Sequence, residues 1–594
     1  MKRSEIEDKY KWNLKDLYES DDVWEQDFKK LKEMLPDIKA LRDGFADSAQ
    51  NLAGALAKID EASMLGERLY VYAKMSRDQD NGNTKYQAMT DRAMSLLVAL
   101  SGETSFAAPA LLAQDEQKLL GFISGEKALA PYAFMIKDTI RQKSHVLSES
   151  EELLLSMSAD FASGARDIFT MLNNADLKFA EIETPEGRVQ LTHGKYIQMM
   201  QHKQRQVRKD AYETYYGAYR GSLNTIASAY STSVKKDVFY SKARKYQNAL
   251  SKVLFSDNVP DSLYDGLIGS VHDNLGTMYE YIDMRKKLLG LDEISMYDIY
   301  VPLVGDTGDK FSYEKAMDMT QEALSPLGED YAELLKRARS EGWIDVFENE
   351  GKTSGAYSWG AYGVHPYVLL NHRGDLDSVY TIAHELGHAM HTWYSEQNQP
   401  YSLAGYTIFV AEVASTVNEI LMTKYLLEHA DEALKKYVLN HYLDQFRTTV
   451  LRQTMFAEFE KISHAMYESG EPLTHESLSG KYAELNRLYY GDVIKTDDTI
   501  ALEWARIPHF YNAFYVYKYA TGFSAAVVIA SNIYEGKAGT LEAYKEFLKS
   551  GGSDYPLELL KKAGVDFEGG APVKNCMNEF KKALEQFKDI MSVK

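Results

Sequence analysis

A mainly α-helical protein of two or more lobes is predicted by three features of the sequence. Only 13 prolines occur in 594 residues, while Glu, Lys, Leu and Ala are abundant, a balance that favours long helices over a turn-rich sheet protein. Apolar residues recur at three- and four-residue spacing along most of the chain. The length also exceeds the roughly 250 to 300 residues at which one core stops growing, so a cleft between lobes is a natural place for a site.

Taken in order, the chain reads as helix after helix up to about Arg166, with Trp24 to Leu35 and Leu52 to Met75 showing the helical spacing most clearly. From Leu177 to Leu191 the pattern changes. Lys178 to Ile182 and Val189 to Leu191 flank Thr184-Pro185-Glu186-Gly187, a strand-turn-strand signature. A boundary is expected there, dividing an amino-terminal helical lobe, residues 1–185, from a larger domain, residues 186–594. Helical periodicity resumes near Lys195 and runs to about Arg339, including the long stretch Tyr212 to Lys236. It fails between Glu348 and Gly374, where Gly351, Gly355, Gly360 and Gly363 interrupt the run and Pro366 precedes Tyr367-Val368-Leu369-Leu370-Asn371. That piece reads as a loop feeding one short strand. Helices follow through about Lys461, and amphipathic helix and loop from Gly536 onward. No internal repeat of 20 to 50 residues and no low-complexity tract is present.

Composition narrows the function. Lys and Arg number 67 against 87 Asp and Glu, a formal charge of −20, which repels polyphosphate and argues against nucleic acid. The single cysteine, Cys576, has no intramolecular partner for a disulfide and no neighbour pattern of a nucleophile. Met1 to Tyr10 starts with basic residues but has no apolar stretch after them, so no export signal is expected. No uncharged apolar run approaches the ~20 residues of a membrane span; the nearest is Ala525 to Ala530. The expectation is a cytoplasmic protein without a membrane partner, its oligomeric state left open.

The chemistry lies in Thr381 to His391, which contains His384-Glu385-Leu386-Gly387-His388, a His-Glu-x-x-His motif. Four residues make about one helical turn, so His384 and His388 share a face and their imidazoles can reach one ion. Glu385 projects about 100° away, placed to address water at the metal instead of filling a coordination position. Val379, Ile382, Ala383, Leu386, Met390 and Trp393 form an apolar stripe beside the polar one, and Asp375 or Asp377 can cap the helix start. The five residues alone would arise in roughly 3 of 100 random chains of this length, so a third ligand matters. Glu412 supplies it: Ala411, Ala414 and Ser415 are small enough for their helix to approach the first at Ala383 and Gly387. Two histidines, one glutamate and one water make an open zinc site of the catalytic type. Glu419, two turns beyond Glu412, either accepts a hydrogen bond from a ligand imidazole or is solvated. His391 reads as a cleft-edge residue rather than a ligand.

At these residues the chain resembles oligoendopeptidase F, within the wider group of thimet-oligopeptidase-like zinc peptidases. The likeness takes in Lys9 to Tyr18, Gly355-Ala356-Tyr357-Ser358, Tyr367 to Asn371, Phe409 to Glu419, Ile507 to Tyr511, Phe514 to Tyr517 and Tyr519 to Gly522. It implies a two-lobed helical ellipsoid with a deep central channel that hydrolyses internal bonds of oligopeptides and excludes folded proteins. It implies that His384, His388 and Glu412 hold one zinc ion and that Glu385 is the general base. It also implies a histidine and a tyrosine that hold substrate and stabilise the oxyanion. His509 matches the histidine; Tyr515 and Tyr517 are the first candidates for the tyrosine, with Tyr511 behind them. Neutral phenol and imidazole donors near developing negative charge lower the barrier, whereas interior packing is the plainer role of such aromatics. Tyr367 to Asn371 is expected to offer an edge strand beside the metal helix, onto which a peptide adds as a further strand. The glycines from Gly355 to Gly363 form either a mobile flap or simple turns. An exopeptidase on the same zinc geometry, or a helical peptide-binding protein with a degenerate site, are the rival readings.

Overall fold

The computed structural model describes residues 1–305 and 308–593. The protein is 71% helical and 3% strand, the outcome expected of a chain poor in proline and apolar at helical spacing. Among the described residues the strands form three small sheets. β1 (Glu181–Thr184) pairs with β2 (Gly187–Gln190), and β3 (Ile294–Ser295) with β7 (Ile494–Lys495). The third sheet runs in the order β4 (Ile344–Asp345), β6 (Tyr367–Leu369), β5 (Tyr357–Trp359). Packing divides the chain into two compact units. The first comprises Met1–Ser144, Gly308–Tyr425 and Ile529–Val565, and the second His145–Thr307, Leu426–Val528 and Asp566–Lys594. The boundary expected at residues 185 and 186 falls in the turn between β1 and β2, inside the second unit.

In the first unit, helices Asp21–Ala40 and Ala49–Asp78 start at Ser20 and Ser48, whose hydroxyls accept the backbone N–H of Val23 and Asn51; each satisfies a donor that the first turn leaves unpaired. Trp24, Leu31, Leu69, Met75 and Leu96 build the core between these helices and Thr84–Thr104. The stretch Thr84–Leu112 is long and apolar enough by composition to cross a membrane, a longer one than Ala525 to Ala530. It is broken at Ser105 and Phe106, between helices Thr84–Thr104 and Ala107–Leu112, and Met89, Ala93, Leu96 and Leu100 are buried in the core.

The sheet next to the metal helix belongs to this unit and departs from expectation. β6 pairs parallel with β4 and antiparallel with β5, with Val368 opposite both Ile344 and Ser358. The segment read as an edge strand is therefore the central one, and β5 is the antiparallel edge. Periodicity could not show this, because Tyr367, Val368 and Leu369 are all buried and a short apolar run is equally consistent with a central strand. Helix Leu376–Asn398 follows β6 and contacts both β5 and β6. Asp375 caps it, accepting the N–H of Ser378 at 2.9 Å, while Asp377 pairs with Arg373 at 2.8 Å. Val379, Ile382, Ala383, Leu386 and Met390 are buried along one stripe, with Trp393 half-buried at its end.

In the second unit, β1 and β2 form the expected hairpin, with Glu181 opposite Gln190 and Thr184 opposite Gly187. The stretch Tyr212 to Lys236 is not one helix. It spans the end of Arg205–Arg220 and much of Leu223–Ala243, parted at Gly221 and Ser222. Tyrosines dominate this core: Tyr212, Tyr216, Tyr219, Tyr230, Tyr264 and Tyr482 are fully buried. A buried ion cluster lies among them, in which Glu503 accepts from Arg452 at 2.6 Å, from Arg506 at 2.5 Å and from the Tyr482 hydroxyl at 2.6 Å.

Candidate metal centre

His384 and His388 stand one turn apart on helix Leu376–Asn398, and their Nε2 atoms lie 3.2 Å from each other. The second helix, Ile408–His429, carries Glu412, whose Oε2 is 3.5 Å from His384 Nε2 and 3.4 Å from His388 Nε2. For a zinc ion bonded at ~2.0–2.1 Å to imidazole nitrogen and carboxylate oxygen, two donors of a tetrahedron are ~3.3–3.4 Å apart. The triangle of donor atoms thus already has the dimensions that one ion requires. Two imidazoles with one carboxylate is also the donor set of hydrolytic zinc sites.

Close packing of the two helices sets this triangle. A Cβ added at Gly387 would lie 2.5 Å from Ser415 Cα and 2.8 Å from both Ala414 O and Ser415 N, so only glycine permits the approach. Asn418, fully buried, joins the same pair: its Nδ2 donates to Ala383 O at 2.9 Å, and its Oδ1 accepts from the Tyr331 hydroxyl at 3.1 Å. The Ser415 hydroxyl lies 3.1 Å from Glu412 Oε2. Sequence reasoning valued Ser415 for its size and missed Asn418, whose signal was a polar side chain four residues from Ala414 and three from Ser415, on the face turned to the first helix.

The alternatives for Glu419 resolve in favour of the hydrogen bond. Its Oε1 lies 2.5 Å from His384 Nδ1, on the side of the ring away from the donor triangle. Glu419 thus engages Nδ1 and leaves Nε2 as the ring nitrogen turned to the other two donor atoms, where it can ligate an ion once deprotonated. Burial opposes a charge on His384, but the Glu419 hydrogen bond and charge, with Glu385 and Glu412 nearby, outweigh it and lift the pKa to about 9. The His388 contact and the charges of both rings, against opposing burial, hold Glu412 down at about 2, so it is a carboxylate at neutral pH. Glu385, 7% exposed, is pushed above the ordinary carboxyl value by burial, with the two rings pulling the other way. His391 is not at a cleft edge. It is 1% exposed and stacks on Tyr406 at 3.8 Å, and burial lowers its pKa to about 3, which makes it a neutral core residue.

The remaining predicted residues lie in the second unit. His509 and Tyr515 are half-buried with ring centroids 6.4 Å apart. Tyr519 joins them at 6.0 Å from His509 and 5.4 Å from Tyr515, a third member that its four-residue spacing from Tyr515 could have suggested. Tyr517 is 1% exposed and packs on Tyr264 at 5.2 Å. Tyr511 is 5% exposed and stacks on Phe169 at 4.5 Å.

A mostly helical chain with a His-His-Glu triangle of ion-binding dimensions and a buried glutamate beside it defines a metallopeptidase of the His-Glu-x-x-His class. Comparison with known proteins gives the family. Residues 198–579 match the family model described as Peptidase family M3, and residues 111–179 the one described as Oligopeptidase F. The chain is 42% identical to Oligopeptidase PepF of Bacillus subtilis over 591 residues, covering 99% of this chain and 88% of that protein. It is 38% identical to Group B oligopeptidase PepB of Streptococcus agalactiae, covering 99% and 98%. Among solved structures, a peptidase from Chlamydophila abortus superposes with a TM-score of 0.94 at 35% identity, covering 99% of each chain. Oligoendopeptidase-F from Enterococcus faecium gives 0.74 at 35% identity, covering 97% and 100%. The chain belongs to peptidase family M3, in its oligoendopeptidase F group, and is a metalloendopeptidase.

Proposed function

We propose that this protein is a zinc-dependent endopeptidase that hydrolyses internal peptide bonds of short, unstructured oligopeptides. The observation that carries the reading is the donor triangle with edges of 3.2, 3.4 and 3.5 Å. His384, His388 and Glu412 hold one zinc ion, which when bound polarises a carbonyl oxygen and makes water nucleophilic near neutral pH. Glu385 takes the proton from the attacking water and delivers it to the leaving amine nitrogen as the carbon–nitrogen bond breaks. Its buried carboxyl, raised above the ordinary value, suits a group that must accept and return a proton. Glu419 keeps the His384 ring in the tautomer that ligates. β5, an edge strand of its sheet among the described residues and in contact with the metal helix, receives the peptide backbone as an added strand. His509 and Tyr515 hold substrate and donate to the oxyanion, a role the family resemblance supports and the half-buried His509–Tyr515–Tyr519 cluster allows; inward-turned Tyr517 is the weaker choice.

Residues 186–594 then form the catalytic part of the sequence and 1–185 the amino-terminal helical part. Oligopeptides are the partners, without nucleic acid or membrane, in the cytoplasm; the charge of −20 supports the exclusion of nucleic acid. The test is Glu385→Gln, loaded with one equivalent of zinc and assayed on a quenched oligopeptide blocked at both ends. Zinc content should be unchanged and kcat should fall by at least ~10³-fold. The parent enzyme should lose activity to a chelator and regain it with zinc. Ordinary turnover by a zinc-loaded Glu385→Gln protein would refute the general base, and failure to cut the end-blocked peptide would favour an exopeptidase.

A further inference from the structure

Four non-glycine residues among those described have a positive φ: Lys245, Asn258, Phe514 and Ser592. Phe514, at φ 57°, is the one that is buried, with 0% exposure. A bulky residue in the left-handed region is costly and persists only where its surroundings impose it. Those surroundings are specific. The N–H of Phe514 donates to Glu460 Oε1 at 2.9 Å, and the His464 ring packs against the Phe514 ring at 4.5 Å while its Nδ1 lies 2.8 Å from Glu460 O. Glu460 sits in helix Arg452–Glu468 with 0% exposure, and its Oε2 has no partner. An acid in an aromatic core is expensive unless its acceptor is needed. The need is visible in the chain: without Glu460 the Phe514 amide would be a buried, unsatisfied donor.

The turn so held sorts the aromatic segment into two sets. Phe510, Tyr511, Phe514, Val516 and Tyr517 go inward, each 5% exposed or less, whereas His509, Tyr515 and Tyr519 stay half-buried and touch one another. We propose that Glu460 is a positioning residue for the His509–Tyr515–Tyr519 cluster, accepting the Phe514 N–H and so holding the left-handed turn that directs Tyr515 out of the core. This rests on the reading of His509 and Tyr515 as groups that face substrate. Burial pushes the Glu460 carboxyl far above its ordinary value, and the Phe514 N–H asks of it only an acceptor oxygen. A neutral amide of the same shape should therefore replace it.

The experiment compares zinc-loaded, full-length Glu460→Gln, Glu460→Met and Tyr515→Phe for kcat and KM on an oligopeptide, and for hydrogen exchange of the segment 508–520 by mass spectrometry. Glu460→Met fills the volume without an acceptor; it should speed exchange of that segment and lower kcat by ten- to a hundredfold, as a misplaced catalytic group does, with KM changed less than threefold. Glu460→Gln should keep exchange and kcat within about threefold of the parent. Unchanged exchange in Glu460→Met overturns the inference. So does loosened exchange with full kcat when Tyr515→Phe does lose kcat. If Tyr515→Phe is also fully active, the assignment of Tyr515 to the reaction fails, and this inference with it. Should Glu460→Met not fold, the Gln variant still decides, because a kcat below a third of the parent's contradicts a purely accepting role.

Discussion

Gly387→Ala should weaken metal binding without touching a ligand. The new Cβ would lie 2.5 Å from Ser415 Cα, against ~3.5–4.0 Å for an unstrained carbon pair. The obstacle is backbone on both sides, so it cannot rotate away, and the two helices must part by ~1 Å. Glu412 is one turn from Ser415 and moves with it. The 3.4 and 3.5 Å edges of the donor triangle would then open to ~4.5 Å, beyond the ~3.3–3.4 Å that one tetrahedral ion spans. An ion held by the two histidines would lose most of the carboxylate bond. We expect zinc affinity to fall on the order of a hundredfold. Helix propensity favours alanine by ~1 kcal/mol and overpacking costs ~1–3 kcal/mol, so the metal-free protein should lose no more than ~2 kcal/mol. Competition against a chromophoric chelator gives the affinity, and urea unfolding of the metal-free protein gives the stability. Affinity within threefold of the parent in a folded protein would show that the helix contact does not set the triangle.

Three further outcomes follow from the same geometry. Glu419→Ala removes the acceptor on His384 Nδ1 and should lower zinc affinity by about 10- to 100-fold; unchanged chelator competition would count against the orienting role. Asn418→Ala strands the Tyr331 hydroxyl in the core and removes the tie to Ala383 O, which should cost about 2 kcal/mol or more in urea unfolding; an equally stable variant would show that water replaces both bonds. In the second unit, burial raises the Glu503 carboxyl, but Arg452 and Arg506 overcome it and hold the pKa at about 2. A folded value below the unfolded one of ~4.3 means that this stabilisation is complete above the unfolded pKa and lost as pH falls toward about 2. Stability followed from pH 5 downward should therefore drop more steeply in the parent than in Glu503→Gln, and parallel curves would rule the assignment out.

The sequence by itself determined what one element's geometry dictates. His384, Glu385 and His388 were legible because a four-residue spacing on a helix fixes directions without knowledge of anything else in the molecule. Glu412 was legible for a related reason: Ala411, Ala414, Ser415 and Gly387 are small, and small residues facing each other admit close helices. The hairpin at Thr184 to Gly187 declared itself through its turn residues. Only the tertiary structure decided which strand is central, since β4 and β5, both earlier in the chain, pair with β6 on its two opposite sides in the sheet. It also decided that Tyr519 joins His509 and Tyr515 while Tyr517 turns inward, that His391 is a core residue, and that a buried glutamate far upstream holds Phe514. Local periodicity tells which face of an element is apolar. What packs against that face depends on side chains brought together from distant parts of the chain, and no spacing within one segment encodes that meeting.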